Sequence, residues 1–252
     1  MQRQDVKESL ERIMNLPLMI NLYRFFVTSF RTIWLFCAMR TMRAANWHRY
    51  RQMFVRPMML LVALVCSGQA VAAGYLEVIP LFWKNLYPNG GASLYCGDQF
   101  APFDRRYNIE HVFPMAWVTR HLRCGSRKQC RANRVLFNQI EADMHNLYPA
   151  RRDVNKARGA MAYGMVAGTT PFSPSCDVEI DTRRRRVEPP PAVRGEIARA
   201  MLYMAQRYHL PLYTKQRRLM LAWHRQDPVE EKERWRNQQI LRLQGTSNPW
   251  IE

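Results

Sequence analysis

Tyr107-Asn108-Ile109-Glu110-His111-Val112-Phe113-Pro114 sets a carboxylate beside an imidazole in a short apolar run. Its aromatic and β-branched content predicts a strand, closed by Pro114. Neighbours on a strand face opposite sides, so Glu110 and His111 read as tools for two tasks and not as mutual partners. A carboxylate suits a hard divalent cation, and an imidazole titrating near neutrality suits proton abstraction from water. That division of labour is what metal-assisted cleavage of a phosphodiester requires, although a lone Glu-His pair is a weak signal by itself.

Two later stretches strengthen it. Phe137-Asn138-Gln139-Ile140-Glu141-Ala142-Asp143-Met144-His145-Asn146-Leu147-Tyr148-Pro149 follows, and then Asp153-Val154-Asn155-Lys156-Ala157-Arg158-Gly159. In order and spacing the three pieces resemble the bacterial endonuclease I family, periplasmic or secreted nucleases of the ββα-metal (His-Me finger) type, and the resemblance runs from about Tyr75 to Trp250. It implies an α+β, mostly helical domain around a ββα-metal nuclease core. It also implies that His111 is the general base, that Glu110 and Asn155 hold one Mg²⁺ whose other positions are filled by water, and that Arg127 contacts the scissile phosphate. Glu141 matches a family acid and is placed in a supporting role behind the site. The substrate implied is DNA, with RNA as a further substrate, cut by a monomer with little sequence preference and no small-molecule cofactor.

Charge agrees with a polyanionic ligand. The 252 residues carry 38 Lys+Arg against 20 Asp+Glu, a net +18. Ten of those bases and three of those acids precede Ala73, so the remainder keeps a surplus of eleven. Such a surplus describes what a surface attracts rather than how a chain folds. At 48% apolar and 12% aromatic, the chain has the means for a true core and is no disordered basic tail. Arg183-Arg184-Arg185-Arg186 reads as a solvated loop or as a grip on phosphates that carries no sequence information.

Met58 to Cys66 is an apolar run too short to span a bilayer but suited to the core of a signal peptide, with Ala70 and Ala72 as its small residues. The expected organisation is an N-terminal extension over residues 1–52, in which Met53 is the more ordinary start, a signal peptide over 53–72 cut after Ala72, and a nuclease domain over 73–252. Arg24 and Arg31 interrupt the apolar residues between Leu16 and Met39, which argues against a membrane span. Export to the periplasm or the medium follows.

Cys96, Cys124, Cys130 and Cys176 lie beyond the cleavage point. An even count behind an export signal reads as two disulfides, with three possible connectivities. The short loop between Cys124 and Cys130 favours that pair and leaves Cys96 with Cys176; zinc is disfavoured for want of paired C-x-x-C spacings. The chain lacks further cysteines usual in the family, and its Cys124–Cys130 loop is shorter.

Elsewhere the pattern predicts a helix over Gly74 to Tyr87, a turn at Pro88-Asn89-Gly90-Gly91, a short strand over Ser93 to Cys96 and a short helix from Met115 to Leu122. Phe137, Ile140, Met144 and Leu147 predict one helix with Glu141 and His145 on another face. Tyr163 to Cys176 reads as a loop, Val178 and Ile180 as a strand, and Val193 to Tyr208 and Leu219 to Trp223 as core helices. The rival to an enzyme is an exported DNA-binding or DNA-uptake protein without catalysis, which would not need Glu110, His111, Arg127 and Asn155 to converge.

Overall fold

A computed structural model describes residues 74–168 and 170–251. They lie in the second of two units into which the chain divides, Met1–Ala70 and Val71–Glu252. The extension and signal peptide expected before Ala73 fall outside the described residues.

Helix α1 (Tyr75–Leu86) is followed by the two-residue strands β1 (Gly91–Ala92) and β2 (Gln99–Phe100), then by β3 (Tyr107–His111). Helices α2 (Met115–Leu122), α3 (Arg127–Asn133) and α4 (Val135–Ala142) intervene before β4 (Leu147–Arg151), which runs straight into α5 (Arg152–Arg158). Strands β5 (Ala162–Tyr163), β6 (Pro171–Ser173), β7 (Cys176–Asp181) and β8 (Arg186–Glu188) form a small sheet, and α6 (Arg194–Arg207), α7 (Thr214–Gln226) and α8 (Glu231–Gln244) complete the α+β fold.

Strand β3 pairs antiparallel with β4, with Glu110 opposite Tyr148 and His111 opposite Leu147. The single helix expected from Phe137 to Leu147 is therefore two elements. The α4 helix stops at Ala142 because Asp143 turns extended and its carboxylate accepts from the His145 backbone amide, as aspartates do at chain reversals. Asn146 then clamps the end of β3, accepting at Oδ1 from the Phe113 amide at 2.6 Å and donating from Nδ2 to the Phe113 carbonyl at 3.1 Å. The expected strand at Ser93–Cys96 is instead a turn between β1 and β2, in which Gly97 N–H bonds back to the Ser93 carbonyl.

The sulfur pairs are Cys96–Cys176 and Cys124–Cys130. The first ties the β1–β2 turn to β7. The second closes on the first turn of α3, which Ser126 caps by accepting from the Gln129 amide; the expected loop at Arg127 is thus a helix start.

Helix α6 is buried nearly all round, from Ile197 through Met204, as a central core helix should be. Around it sit Val178, Val187, Trp223 and much of the apolar interior. Behind it, Arg199 and Glu233 form a buried ion pair at 2.6 Å, fixing α8 to α6 through a charged contact.

His145 is fully buried against Tyr203, ring centroids 4.6 Å apart, with Nε2–H donating to the Thr246 carbonyl. Burial holds its pKa down at about 4; Asp143 pulls the other way, and Arg236 and Arg207 reinforce the depression. The unfolded chain, whose histidine titrates near 6.5, binds this proton first, so stability present above about pH 6.5 is lost as pH falls toward 4. The unfolding free energy from denaturant titrations is expected to fall across that window by on the order of 2–3 kcal/mol, and His145→Gln is expected to flatten that limb. An unchanged slope in the variant would assign the acid loss to other groups.

Candidate active site

Glu110, His111, Arg127 and Asn155, distant in sequence, line one cleft of about 510 Å³. Strand β3 delivers Glu110 and His111, α5 delivers Asn155 across the hairpin, and the capped start of α3 delivers Arg127. The long insertion between the two strands thus returns an arginine to the strand it left.

Opposite-facing neighbours find opposite partners. Glu110 is buried and accepts from the Tyr95 hydroxyl at 2.7 Å, while Arg158 Nη1 lies 2.9 Å from the same Oε1. Burial raises the Glu110 pKa above its ordinary value, and Arg158 and then Tyr95 pull it back. Arg158 is buried too; burial works against its charge, but Tyr163, Tyr95 and Glu110 around it hold the proton more firmly than in an ordinary arginine. It also lies 4.7 Å over the Tyr163 ring and donates to the backbone, Nη1 to the His111 carbonyl at 3.1 Å and Nη2 to that of Val112 at 2.7 Å. It braces the end of β3 as well as the carboxylate.

His111 Nε2 sits 3.0 Å from the Glu141 carbonyl. A carbonyl only accepts, so Nε2 carries the hydrogen and Nδ1 is left as the basic nitrogen. Burial, above all, depresses the His111 pKa to about 3, and Arg127, Arg131 and Arg158 add to it against the Glu141 carbonyl. Tyr75 lies against the ring, centroids 4.9 Å apart.

Glu141 is fully buried and reaches the cleft only through others. Its carboxylate holds Arg127, through Nε, and Arg131, which donates from Nε at 2.6 Å and Nη2 at 2.8 Å. One residue thus sets the tautomer of His111 with its carbonyl and the aim of Arg127 with its side chain.

Asn155 donates from Nδ2 to Asn108 Oδ1 at 3.0 Å and to the Ile109 carbonyl at 3.3 Å. With the NH₂ end so occupied, its carbonyl oxygen is the end left for a cation. Among the described residues no group of three or more His, Cys, Asp or Glu side chains could hold a metal. A carboxylate and an amide oxygen lining one cleft nevertheless fit a hard ion that keeps most of its waters, and fit poorly a soft ion needing nitrogen and sulfur.

The four arginines at 183–186 do not line this cleft. Arg183, Arg184 and Arg185 occupy the exposed β7–β8 turn, where Arg184 is drawn to Asp181 at 3.7 Å, and Arg186 opens β8 opposite Asp181. Sequence reasoning missed Tyr95, Arg131, Arg158 and Tyr75. Arg158 stood inside the quoted Asp153–Gly159 stretch, three residues and one helical turn after Asn155, and that spacing was a usable signal. The tyrosines carried none.

No described helix is long and apolar enough to cross a membrane. The sequence is similar to an extracellular deoxyribonuclease of Aeromonas hydrophila, 41% identical over 174 residues covering 67% of this chain and 75% of the relative. A periplasmic deoxyribonuclease of Aeromonas hydrophila is 40% identical over 174 residues, 67% of this chain and 73% of the relative. An Endonuclease-1 of Buchnera aphidicola subsp. Acyrthosiphon pisum is 35% identical over 150 residues, 58% of this chain and 59% of the relative. The model of the Endonuclease I family matches residues 84–252, and with the cleft built from that same span the chain belongs to the endonuclease I family.

Proposed function

We propose that this protein is an exported, metal-dependent endonuclease that hydrolyses DNA phosphodiester bonds with little sequence preference, and RNA as well. The convergence of Glu110, His111, Arg127 and Asn155 on one cleft carries the reading. A DNA-binding protein without catalysis would have no need of it.

In this reading His111 Nδ1 takes a proton from the attacking water, whose oxygen bonds to phosphorus as the bond to the leaving 3′-oxygen breaks; that oxygen takes a proton from solvent. Nε2–H stays on the Glu141 carbonyl, so the ring cannot rotate away or present the wrong nitrogen. Arg127 donates to the phosphate, a permanent charge with planar geometry suited to phosphate oxygens. Glu110 and Asn155 would hold one Mg²⁺, and when bound the ion supplies charge stabilisation to the phosphate and the departing oxygen. A base held near pKa 3 is weak in the free protein. Burial is the main cause of that depression and Arg127, Arg131 and Arg158 add to it; a bound phosphodiester's negative charge offsets the part that these cations contribute. Selectivity is low because phosphate contacts fix position without reading bases. The β7–β8 arginines extend that backbone attraction beyond the cleft.

The test is plasmid nicking by the full chain with its disulfides oxidised, with Mg²⁺ and with EDTA, in parallel with a structured RNA. Cleavage that needs the metal is expected. Plasmid that is retarded but uncut in every lane would favour the binding protein instead.

A further inference from the structure

A second, larger hollow of about 810 Å³ adjoins the cleft, and the two share Asn108 and Ile109 as a common wall. Its floor is aromatic: Phe100 and Tyr107 are buried, 4.9 Å apart, and Trp83, half-buried and edge-on to Phe100 at 6.0 Å, stands over them with the half-buried Tyr87. Tyr75 lines it as well as contacting His111, so the hollow begins beside the proposed base. Lys84, Arg105 and Arg152 also line it. The one acid in the lining, Asp104, is held by Arg106 at 2.6 Å.

Phe103, at the lip, is 97% exposed and sits at φ +61°. A phenylalanine is costly in the left-handed region, and burial in the core does nothing to offset that cost here. An aromatic side chain held out at such a position beside a groove has the character of a ligand contact.

We propose that this groove is a subsite for unpaired nucleotides of the strand being cut, in which bases stack on the accessible rings of Trp83, Tyr75 and Phe103 and the backbone follows the three cations. Flat rings accept any base, and the combination of rings with a cationic track is what single-stranded nucleic acid requires. In a duplex the base faces are already stacked and out of reach, so the groove would distinguish single-stranded from double-stranded substrate, which the backbone contacts of the cleft do not. The proposal rests on the nuclease reading for its role, but its binding part is measured apart from cleavage.

The experiment uses the full chain carrying His111→Ala, so that DNA is bound and not consumed, and a fluorescent oligothymidylate with a blunt hairpin duplex as comparison. Phe103→Ala is expected to weaken oligothymidylate binding at least about fivefold and to change hairpin binding less than twofold. Saturating oligothymidylate is expected to quench tryptophan emission, and Trp83→Phe to remove most of the quench. In the His111 protein, Phe103→Ala is expected to slow cleavage of single-stranded DNA more than that of plasmid. Equal losses on both DNAs, or no loss with no quench, would overturn the groove even if the enzyme cuts normally. A wild-type chain that cuts nothing while the binding differences persist would overturn the nuclease reading and keep the groove. Sedimentation that changes with Phe103→Ala while DNA affinity does not would assign the groove to a second copy of the chain and overturn the proposal.

Discussion

His111→Ala is expected to slow single-turnover plasmid nicking by about 10²–10⁴-fold, equivalent to roughly 3–5 kcal/mol on the barrier, with little change in affinity for DNA. The ring's basic nitrogen is the only feature at that position able to take the proton from water, because its other nitrogen is committed to the Glu141 carbonyl. On the proposed reading DNA affinity should survive, because the phosphate contacts assigned to arginines are not touched by the substitution. Glu141→Gln separates the two duties of that residue. It keeps the carbonyl under His111 but removes the charge that anchors Arg127 and Arg131, so it should raise KM more than it lowers kcat. A His111→Ala enzyme that nicks within tenfold of the native rate would sink the assignment of the base.

The contrast between what the sequence discloses and what it hides follows from the forces involved. Strand β3 is legible because its apolar residues and closing proline are local signals. Its partner is not, because Leu147–Arg151 contains Pro149, and proline is unexpected in a paired strand. It is accommodated here opposite Ile109, with its carbonyl accepting from the Leu94 amide. The helical spacing of Phe137, Ile140, Met144 and Leu147 is real, but Asp143 spends its side chain on the turn and ends the helix early. Helix α8 escaped notice for a related reason. Its buried residues are Glu233, Arg236, Asn237 and Ile240, so ion pairing and hydrogen bonds, not an apolar stripe, hold it down. The family resemblance supplied Glu110, His111, Arg127 and Asn155, and they do share a cleft. It could not supply the Tyr95–Glu110–Arg158 contact, since a tyrosine and an arginine 63 residues apart meet only through the fold.

Arg158→Met should be the most damaging single change to stability near the cleft. It removes one partner of a buried pair and strands a carboxylate in the interior, which costs about 3–5 kcal/mol and lowers the melting temperature by roughly 10 °C for a domain of this size. Burial already raises the Glu110 pKa, with Arg158 the largest influence opposing it. Without the guanidinium the carboxyl holds its proton to still higher pH. A carboxyl whose folded pKa exceeds its unfolded one contributes stability below the unfolded value and loses it as pH rises through the folded one, so the variant should weaken as pH rises from the ordinary carboxylate range through the raised folded pKa. Adding Glu110→Gln removes the stranded charge, and the double variant should recover most of the lost stability while remaining inactive, because a proposed cation ligand is gone. Urea unfolding of the wild type, Arg158→Met, Glu110→Gln and the double variant at several pH values, beside nicking rates, makes the comparison. If the double variant is no more stable than Arg158→Met alone, the arginine acts through its bonds to the His111 and Val112 carbonyls and not through the charge of Glu110. If stability returns and activity returns with it, Glu110 is not a ligand. Recovery of the fold without recovery of cleavage is the result that ties this buried pair to catalysis, with Arg158 as the residue that most opposes the pull of burial on the Glu110 carboxyl.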